Sequence, residues 1–228
     1  MRRIPALLLL FLVATCARAD GPVTIVCLGD SVTRAVRPGV GPDQTYCVYL
    51  EKGLKEAGLP VKVINSGIGG HTTADARQRF DRDVLAHHPQ YVVIMFGLND
   101  GYVYPGKTES KLSVVDYTAN LKHMIAVLKA QKIQPVLMTA NPFVPPAQKA
   151  DRNVTLKKYI DAKRAVAREE HVPLVDVYAR FGELLLEGKD LTALFTDDCH
   201  PNPQGQAIIA AALVQEFKSL LKKNREDR

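Results

Sequence analysis

A serine, an aspartate and a histidine are placed where they could form a nucleophile with its base and orienting acid. Ser31 ends the segment VTIVCLGDS, in which an apolar run stops abruptly at Gly-Asp-Ser. Near the other end of the chain, DDCH places His200 three residues after Asp197. A histidine activates a serine hydroxyl when an acceptor holds its second nitrogen. These residues predict acyl transfer through a Ser-His-Asp triad, with Asp198 as an alternative acid, although Gly-Asp-Ser alone is also an ordinary turn sequence.

Two further loops could supply donors for a developing oxyanion. Gly70 in IGGHTT can present an unobstructed backbone N–H, and Asn99 in GLND can present a side-chain amide. Preorganised donors of this kind are each worth about 10²–10³ in rate. Either residue alone could instead be a turn former or a cap. Their joint occurrence after successive predicted strands favours a catalytic site.

Alternating strand and helix patterns predict the frame that positions these loops. Short apolar runs rich in Val and Ile predict five strands buried on both faces, at 23–28, 61–64, 91–96, 135–138 and 173–177. Helical periodicity predicts six helices, at 45–57, 73–86, 114–131, 154–170, 178–186 and 203–221. This alternation is typical of one doubly wound α/β domain with a parallel sheet. Ligands of such a domain bind at the carboxyl ends of the strands, where these loops lie.

The six histidines differ in where the predicted strands place them. Four fall outside the predicted site, because they precede a strand or lie within a helix: His87, His88, His123 and His171. His71 and His200 remain at the carboxyl edge of the sheet. Of these two, only His200 has a carboxylate at a fixed local spacing, which favours it as the base.

Other residues of the same loops are candidates for contact with a substrate: Asp30, His71, Tyr102, Tyr104 and Phe143. The two tyrosines lie in GYVYPGKT, residues 101–108, which matches the phosphate-loop pattern GxxxxGK[ST]. A phosphate loop directly follows a strand and opens a helix, whereas here GLND already occupies the strand end and the next helix is predicted only near residue 114. We therefore interpret this segment as an aromatic pocket wall.

In their order and surroundings, these motifs resemble the SGNH hydrolase superfamily, also called GDSL esterases and lipases. Four marker residues of that family occur here in order: Ser31 in GDSVT, Gly70 in NSGIGGHTT, Asn99 in GLND and His200 in DDCHPN. The resemblance covers about residues 23–221. It implies a flavodoxin-like five-stranded parallel sheet of order 2-1-3-4-5, with Asp197 as the acid of the triad. It also implies that the Ser31 N–H joins the Gly70 N–H and the Asn99 amide in the oxyanion hole, without a metal or cofactor.

The first 19 residues have the pattern of a secretory signal peptide. Arg2 and Arg3 precede an apolar stretch over residues 4–14, and small residues at positions 17 and 19 suit cleavage after Ala19. The sequence therefore predicts a signal peptide over residues 1–19.

The remainder of the chain, residues 20–228, is predicted to be a secreted or periplasmic SGNH/GDSL-type hydrolase domain that acts as a monomer. A lipid anchor at Cys16 is the alternative, because VATC loosely resembles a lipobox, although Thr15 fits that motif poorly. No other stretch is long and apolar enough to span a bilayer.

Charge and cysteine content limit the classes of partner. Without residues 1–19, the chain has 27 basic and 24 acidic residues, a net charge of +3, which does not predict a nucleic-acid partner. Three cysteines remain. Cys27 falls inside an apolar run and is predicted to be buried, while a disulfide between Cys47 and Cys199 is conceivable in an oxidising compartment.

The predicted function is therefore that of a serine esterase for carboxylic esters. The short chain, with no evident lid, favours a small acyl group such as acetate on a carbohydrate. Lysophospholipids, short lipids and aryl esters are alternatives that the family resemblance equally allows. Two further alternatives are a catalytically silent carbohydrate-binding protein of the cell envelope and a metallophosphatase that uses Asp30, Asp100 and His200. The intact triad argues against the first, and the lack of a local ligand cluster argues against the second.

Overall fold

Five parallel strands form one sheet in the computed structural model, which describes residues 21–226, with side chains described as far as residue 222. The strands are β1 (Val23–Gly29), β2 (Val61–Gly67), β3 (Tyr91–Met95), β4 (Gln134–Met138) and β5 (Leu174–Val175). Their order is β2-β1-β3-β4-β5, which confirms the predicted doubly wound sheet. The signal peptide predicted over residues 1–19 and the alternative anchor at Cys16 lie outside the described residues.

Eight α-helices flank this sheet within residues 21–226: α1 (Ser31–Arg34), α2 (Tyr46–Glu56), α3 (Thr73–Gln78), α4 (Phe80–Asp83), α5 (Val114–Ala130), α6 (Ala150–Glu169), α7 (Val177–Leu186) and α8 (Pro203–Glu226). Alternate residues of β1 enter different cores, because successive side chains of a strand point to opposite faces. Ile25 and Cys27 pack in the core that includes α2 and α8. Val26 and Leu28 pack in the core that includes α3 and α5. Both faces of this central strand are thereby buried.

The predicted helix at 73–86 is broken into α3, α4 and a 3₁₀ turn at Leu85–His87. The break falls at Arg79, whose backbone leaves the helical region at φ −110°. Its guanidinium is buried and donates to the carbonyls of Ser66 (2.8 Å) and Gly29 (2.9 Å). Hydrophobic periodicity does not predict this break, because the break depends on hydrogen bonds from Arg79 to the ends of β1 and β2.

β2 extends three residues beyond the predicted apolar run, through Asn65, Ser66 and Gly67. These polar residues continue the strand because they stay in register with β1, as far as the pairing of Gly67 with Gly29. A Cβ on Gly67 would lie 2.1 Å from the backbone nitrogen of Arg34. The glycine therefore lets α1 pack directly against the end of β2.

Candidate active site

The nucleophile candidate is the first residue of the short helix α1, directly after β1. Asp30 caps this helix, since its carboxylate accepts a hydrogen bond from the Val32 N–H at 2.9 Å. The carbonyl of Asp30 also accepts from the Arg34 N–H at 3.0 Å. These bonds fold the chain into a tight turn that leaves Ser31 half-buried at the carboxyl edge of the sheet.

Three predicted residues meet in an unbroken hydrogen-bonded chain. Ser31 Oγ lies 2.8 Å from His200 Nε2. On the other side of the ring, His200 Nδ1 lies 2.7 Å from Asp197 Oδ2 and 2.9 Å from Oδ1. A carboxylate only accepts, so Nδ1 carries the proton and Nε2 accepts from the serine hydroxyl. This is the arrangement in which an imidazole can take a proton from a serine.

Electrostatics around the ring favour a neutral imidazole beside an ionised acid. Burial lowers the pKa of His200, an effect that Asp197 opposes. Burial alone raises the pKa of Asp197, but hydrogen bonds from the Cys199 N–H, the His200 side chain and the His200 N–H outweigh it and hold that pKa below its usual value. Arg37 adds a further contact to Asp197 Oδ2 at 3.1 Å. The base is therefore free to accept a proton near neutral pH.

Asp198, the alternative acid, is bound elsewhere. Its carboxylate lies 2.6 Å from the Arg152 guanidinium and 3.1 Å from the Lys149 ammonium. These two cations come from the start of α6 and the segment before it. The geometry thus assigns the contact with His200 to Asp197 and gives Asp198 a role in anchoring the loop.

The predicted oxyanion donors follow the carboxyl ends of three neighbouring strands. Gly70 adopts φ +80°, a left-handed conformation that suits glycine. The Asn99 amide donates one hydrogen to the carbonyl of His71 at 3.0 Å, which leaves its second N–H available. No group within residues 21–226 accepts a hydrogen bond from the backbone N–H of Ser31 or Gly70. Three unengaged donors thus stand on adjacent loops.

Of the five candidates for substrate contact, two are buried. Asp30 is 0% exposed, because its carboxylate turns inward to cap α1. Phe143 is 4% exposed, and the Arg152 guanidinium covers its ring at 3.8 Å from the centroid. Contact between Phe143 and a substrate stays a prediction. His71 remains partly exposed, but its Nδ1 is buried and has no hydrogen-bond partner among the described residues.

Tyr102 and Tyr104, in the segment GYVYPGKT, pack against each other. Their rings are perpendicular, with centroids 5.1 Å apart, and Tyr104 is 51% exposed. Val103 bridges to Ser110, and the next helix begins only at Val114. The segment consequently does not open a helix as a phosphate loop does.

A model of the GDSL-like Lipase/Acylhydrolase family matches residues 27–208, a span that includes every residue of the hydrogen-bonded chain. The chain belongs to the GDSL-like lipase/acylhydrolase family. Its parallel sheet is the flavodoxin-like fold implied by the four sequence motifs.

Proteins similar to this GDSL-like hydrolase cover most of its length. An acetylxylan esterase from Geobacillus stearothermophilus is 32% identical over 206 residues, which are 83% of this chain and 91% of that protein. A crystal structure of Axe2, an acetylxylan esterase from that organism, superposes with a TM-score of 0.73 at 28% identity, covering 86% of this chain and 94% of that one. An arylesterase from Vibrio mimicus is 27% identical over 218 residues, 95% of this chain and 98% of that protein. The family and these similarities together identify a carboxylic ester hydrolase.

One more similar protein is named as a lipoprotein. The uncharacterized lipoprotein YqeF from Bacillus subtilis (strain 168) is 33% identical over 197 residues, 77% of this chain and 79% of that protein. In the hydrolase itself, none of the helices within residues 21–226 has the length and apolarity that crossing a bilayer requires.

The three cysteines within the described residues are free thiols. Cys47 is buried in the core, where its thiol interacts with that of Cys27. Cys199 Sγ lies instead 3.4 Å from Nδ1 of His200. A disulfide between Cys47 and Cys199 is therefore absent, because the two thiols occupy different environments.

A metal centre built on His200 conflicts with its hydrogen bonds. Among the described residues, the metal-ligating atoms that cluster are those of Asp197, Cys199 and His200, rather than the set with Asp30 and Asp100. Both ring nitrogens of His200 are already engaged, one by Asp197 and the other by Ser31. The geometry therefore favours proton transfer at this histidine.

The sequence did not predict the two arginine side chains that hold the DDCH loop. Arg37 and Arg152 contact the two neighbouring aspartates of DDCH, yet they come from distant parts of the chain. Nothing in their local sequence marks them, because an arginine in a polar segment is common.

Proposed function

We propose that this hydrolase is a serine esterase in which Ser31 is the nucleophile, His200 the general base and Asp197 the orienting acid. The observation that carries the proposal is the chain of contacts from Ser31 Oγ through both nitrogens of His200 to Asp197, at 2.8 Å and 2.7 Å. A serine activated by an adjacent base in this way can carry out the carboxylic ester hydrolysis of the family.

The reaction would proceed in two acyl-transfer steps. His200 Nε2 takes the proton of Ser31 as the serine oxygen attacks the ester carbonyl. The N–H groups of Ser31, Gly70 and Asn99 then stabilise the oxyanion, and the alcohol leaves with the proton held by His200. Water attacks the acyl-enzyme by the same route and releases the acid.

The substrate we propose is a short-acyl ester, above all acetate on a carbohydrate. Similarity to an acetylxylan esterase supports this choice. The exposed ring of Tyr104 beside Tyr102 also offers the flat apolar surface on which a sugar ring can pack. Similarity to an arylesterase keeps aryl esters as the second candidate.

A panel of three substrates would separate these alternatives. We expect the highest kcat/KM with acetylated xylo-oligosaccharides, compared with 4-nitrophenyl acetate and a lysophospholipid. Tyr104→Ala should lower kcat/KM for the oligosaccharide by about tenfold, the scale of one lost ring contact, while leaving the nitrophenyl ester nearly unchanged. Equal losses on both substrates would contradict a sugar-binding role for this tyrosine.

Export of the hydrolase is part of the proposal, with residues 1–19 as a signal peptide removed after Ala19. Similarity to a lipoprotein supports keeping a lipid-modified Cys16 as the alternative. The two differ in the mature terminus, which begins at Asp20 in the first case and at Cys16 in the second.

The adjacent aspartates of DDCH allow a matched test of the triad. Asp197→Asn should lower kcat by about 10³–10⁴, because it removes the charge that orients His200 and stabilises the imidazolium. Asp198→Asn should change kcat by less than about tenfold, since its partners are Arg152 and Lys149. Steady-state kinetics on 4-nitrophenyl acetate measure both. A larger loss in Asp198→Asn would reassign the acid.

A further inference from the structure

Three ionisable side chains are buried together beneath the candidate active site. Asp30, Asp100 and Lys163 are each 0% exposed, and both carboxylates act electrostatically on the lysine. They come from the loops after β1 and β3 and from α6. The triad does not use them, so their burial needs another explanation.

Each aspartate uses one carboxylate oxygen and leaves the other unpaired. Asp30 Oδ1 accepts from the Val32 N–H at 2.9 Å. Asp100 Oδ1 accepts from the N–H of Thr73 at 2.9 Å and from its hydroxyl at 2.6 Å. Neither Oδ2 has a hydrogen-bond partner among the described residues. Two ionised carboxylates with unpaired buried oxygens would be strongly destabilising.

Lys163 has the surroundings of an ammonium group. Its Nζ donates to the carbonyls of Met138 at 2.8 Å, Phe96 at 3.0 Å and Ile94 at 3.4 Å. Three acceptors match the three hydrogens of a charged lysine. Burial lowers the pKa of Lys163 to about 7, an effect that Asp100 and Asp30 oppose. The three carbonyl acceptors favour the charged form, in which the lysine contributes one positive charge at the carboxyl ends of β3 and β4.

One positive charge balances one carboxylate, which leaves the second carboxyl to be neutral. Burial, with a smaller contribution from the charge of Asp100, raises the pKa of Asp30 to about 7. Burial likewise raises the pKa of Asp100. Both directions favour the retention of a proton on this pair.

We propose that Asp30 and Asp100 hold one proton between them and, with Lys163, form a neutral buried unit that positions the oxyanion donors. Asp30 directly precedes Ser31, and Asp100 directly follows Asn99. Through Thr73, Asp100 also holds the loop that carries Gly70. Each of the three donor loops is thus fixed by a hydrogen bond to this unit. None of its members touches the substrate, so they are positioning residues.

Charge counting gives an unusual pattern of expected results. Asp30→Asn and Asp100→Asn each replace a carboxyl that can be neutral with a neutral amide of the same shape. Each single variant should keep kcat/KM for 4-nitrophenyl acetate within about threefold and its thermal midpoint within about 4 °C of the parent. The double variant leaves Lys163 without a counter-charge, so its midpoint should fall by about 10 °C and its kcat by more than about tenfold, with KM little changed.

Removal of the lysine charge should then restore the thermal midpoint and kcat that the double variant loses. The triple variant with Lys163→Met should regain at least half of the lost thermal midpoint and most of the lost kcat. Asp81→Asn, an exposed aspartate of α4, is the matched control and should behave as the parent.

Three outcomes would overturn the proposal. In the first, either single variant loses as much thermal midpoint and kcat as the double variant. In the second, the double variant keeps the parental values. In the third, the triple variant regains neither quantity relative to the double variant. The kcat arm rests on the proposed function, whereas the thermal arm does not. If Ser31 proved not to be the nucleophile, the thermal midpoints of the variants would therefore still test the buried unit.

Discussion

Ser31→Ala is expected to lower kcat for 4-nitrophenyl acetate by about 10⁶, leaving only what oxyanion binding contributes. The hydroxyl lies 2.8 Å from the base, so the substitution removes the group that the base activates. The side chain is half-buried, so its loss should shift the thermal midpoint by less than about 4 °C. Steady-state kinetics and thermal denaturation measure the two effects separately.

Covalent labelling gives this prediction a second readout. A serine-reactive fluorophosphonate should label the parent at Ser31, as shown by peptide mass spectrometry, and should not label the variant. Ser219→Ala, at an exposed position of α8, is the matched control and should retain both activity and labelling. Full activity in Ser31→Ala, with the label on another residue, would refute the proposed nucleophile.

The second large effect is expected at the base. His200→Ala should lower kcat by about 10⁵–10⁶, because a serine hydroxyl is a weak nucleophile without a proton acceptor. His123→Ala, on the exposed face of α5, serves as the control and should keep parental activity.

The acid limb of the pH profile tests the same histidine. Burial holds the pKa of His200 below its ordinary value of about 6.5, and only the neutral ring can accept a proton. The kcat/KM of the parent should therefore stay constant as the pH falls to about 6.5, and decline only at lower pH. A decline that begins well above that value would mean that another group controls the activity.

The sheet was predictable because its strands are buried on both faces. Runs such as VTIVCL carry that information locally, and their order along the chain gave the positions of the functional loops. The motifs at Ser31 and His200 were also predictable from the sequence, because each is complete within a few residues. The end of β2 was not readable, because backbone pairing with β1 stabilises Asn65 and Ser66 without an apolar pattern.

Features whose surroundings come from far along the chain were less predictable. The burial of Asp30, on which the charge of Lys163 in α6 acts, is one of them. A signal existed in the sequence, because Lys163 continues the helical spacing of buried Leu156 and Ile160. A lysine within an apolar stripe indicates a buried partner, but not which residue it is.

The turn that carries the base also contains its own orienting acid. Asp197 Oδ1 accepts from the N–H groups of Cys199 and His200, at 2.9 Å each, while the same carboxylate holds the imidazole. The acid and the base therefore move as one rigid body when this loop shifts. A displacement of the turn would change the distance from Ser31 Oγ to Nε2 and the contacts with Arg37 and Arg152, but it would preserve the tautomer of the ring. The base would then reach the serine already oriented.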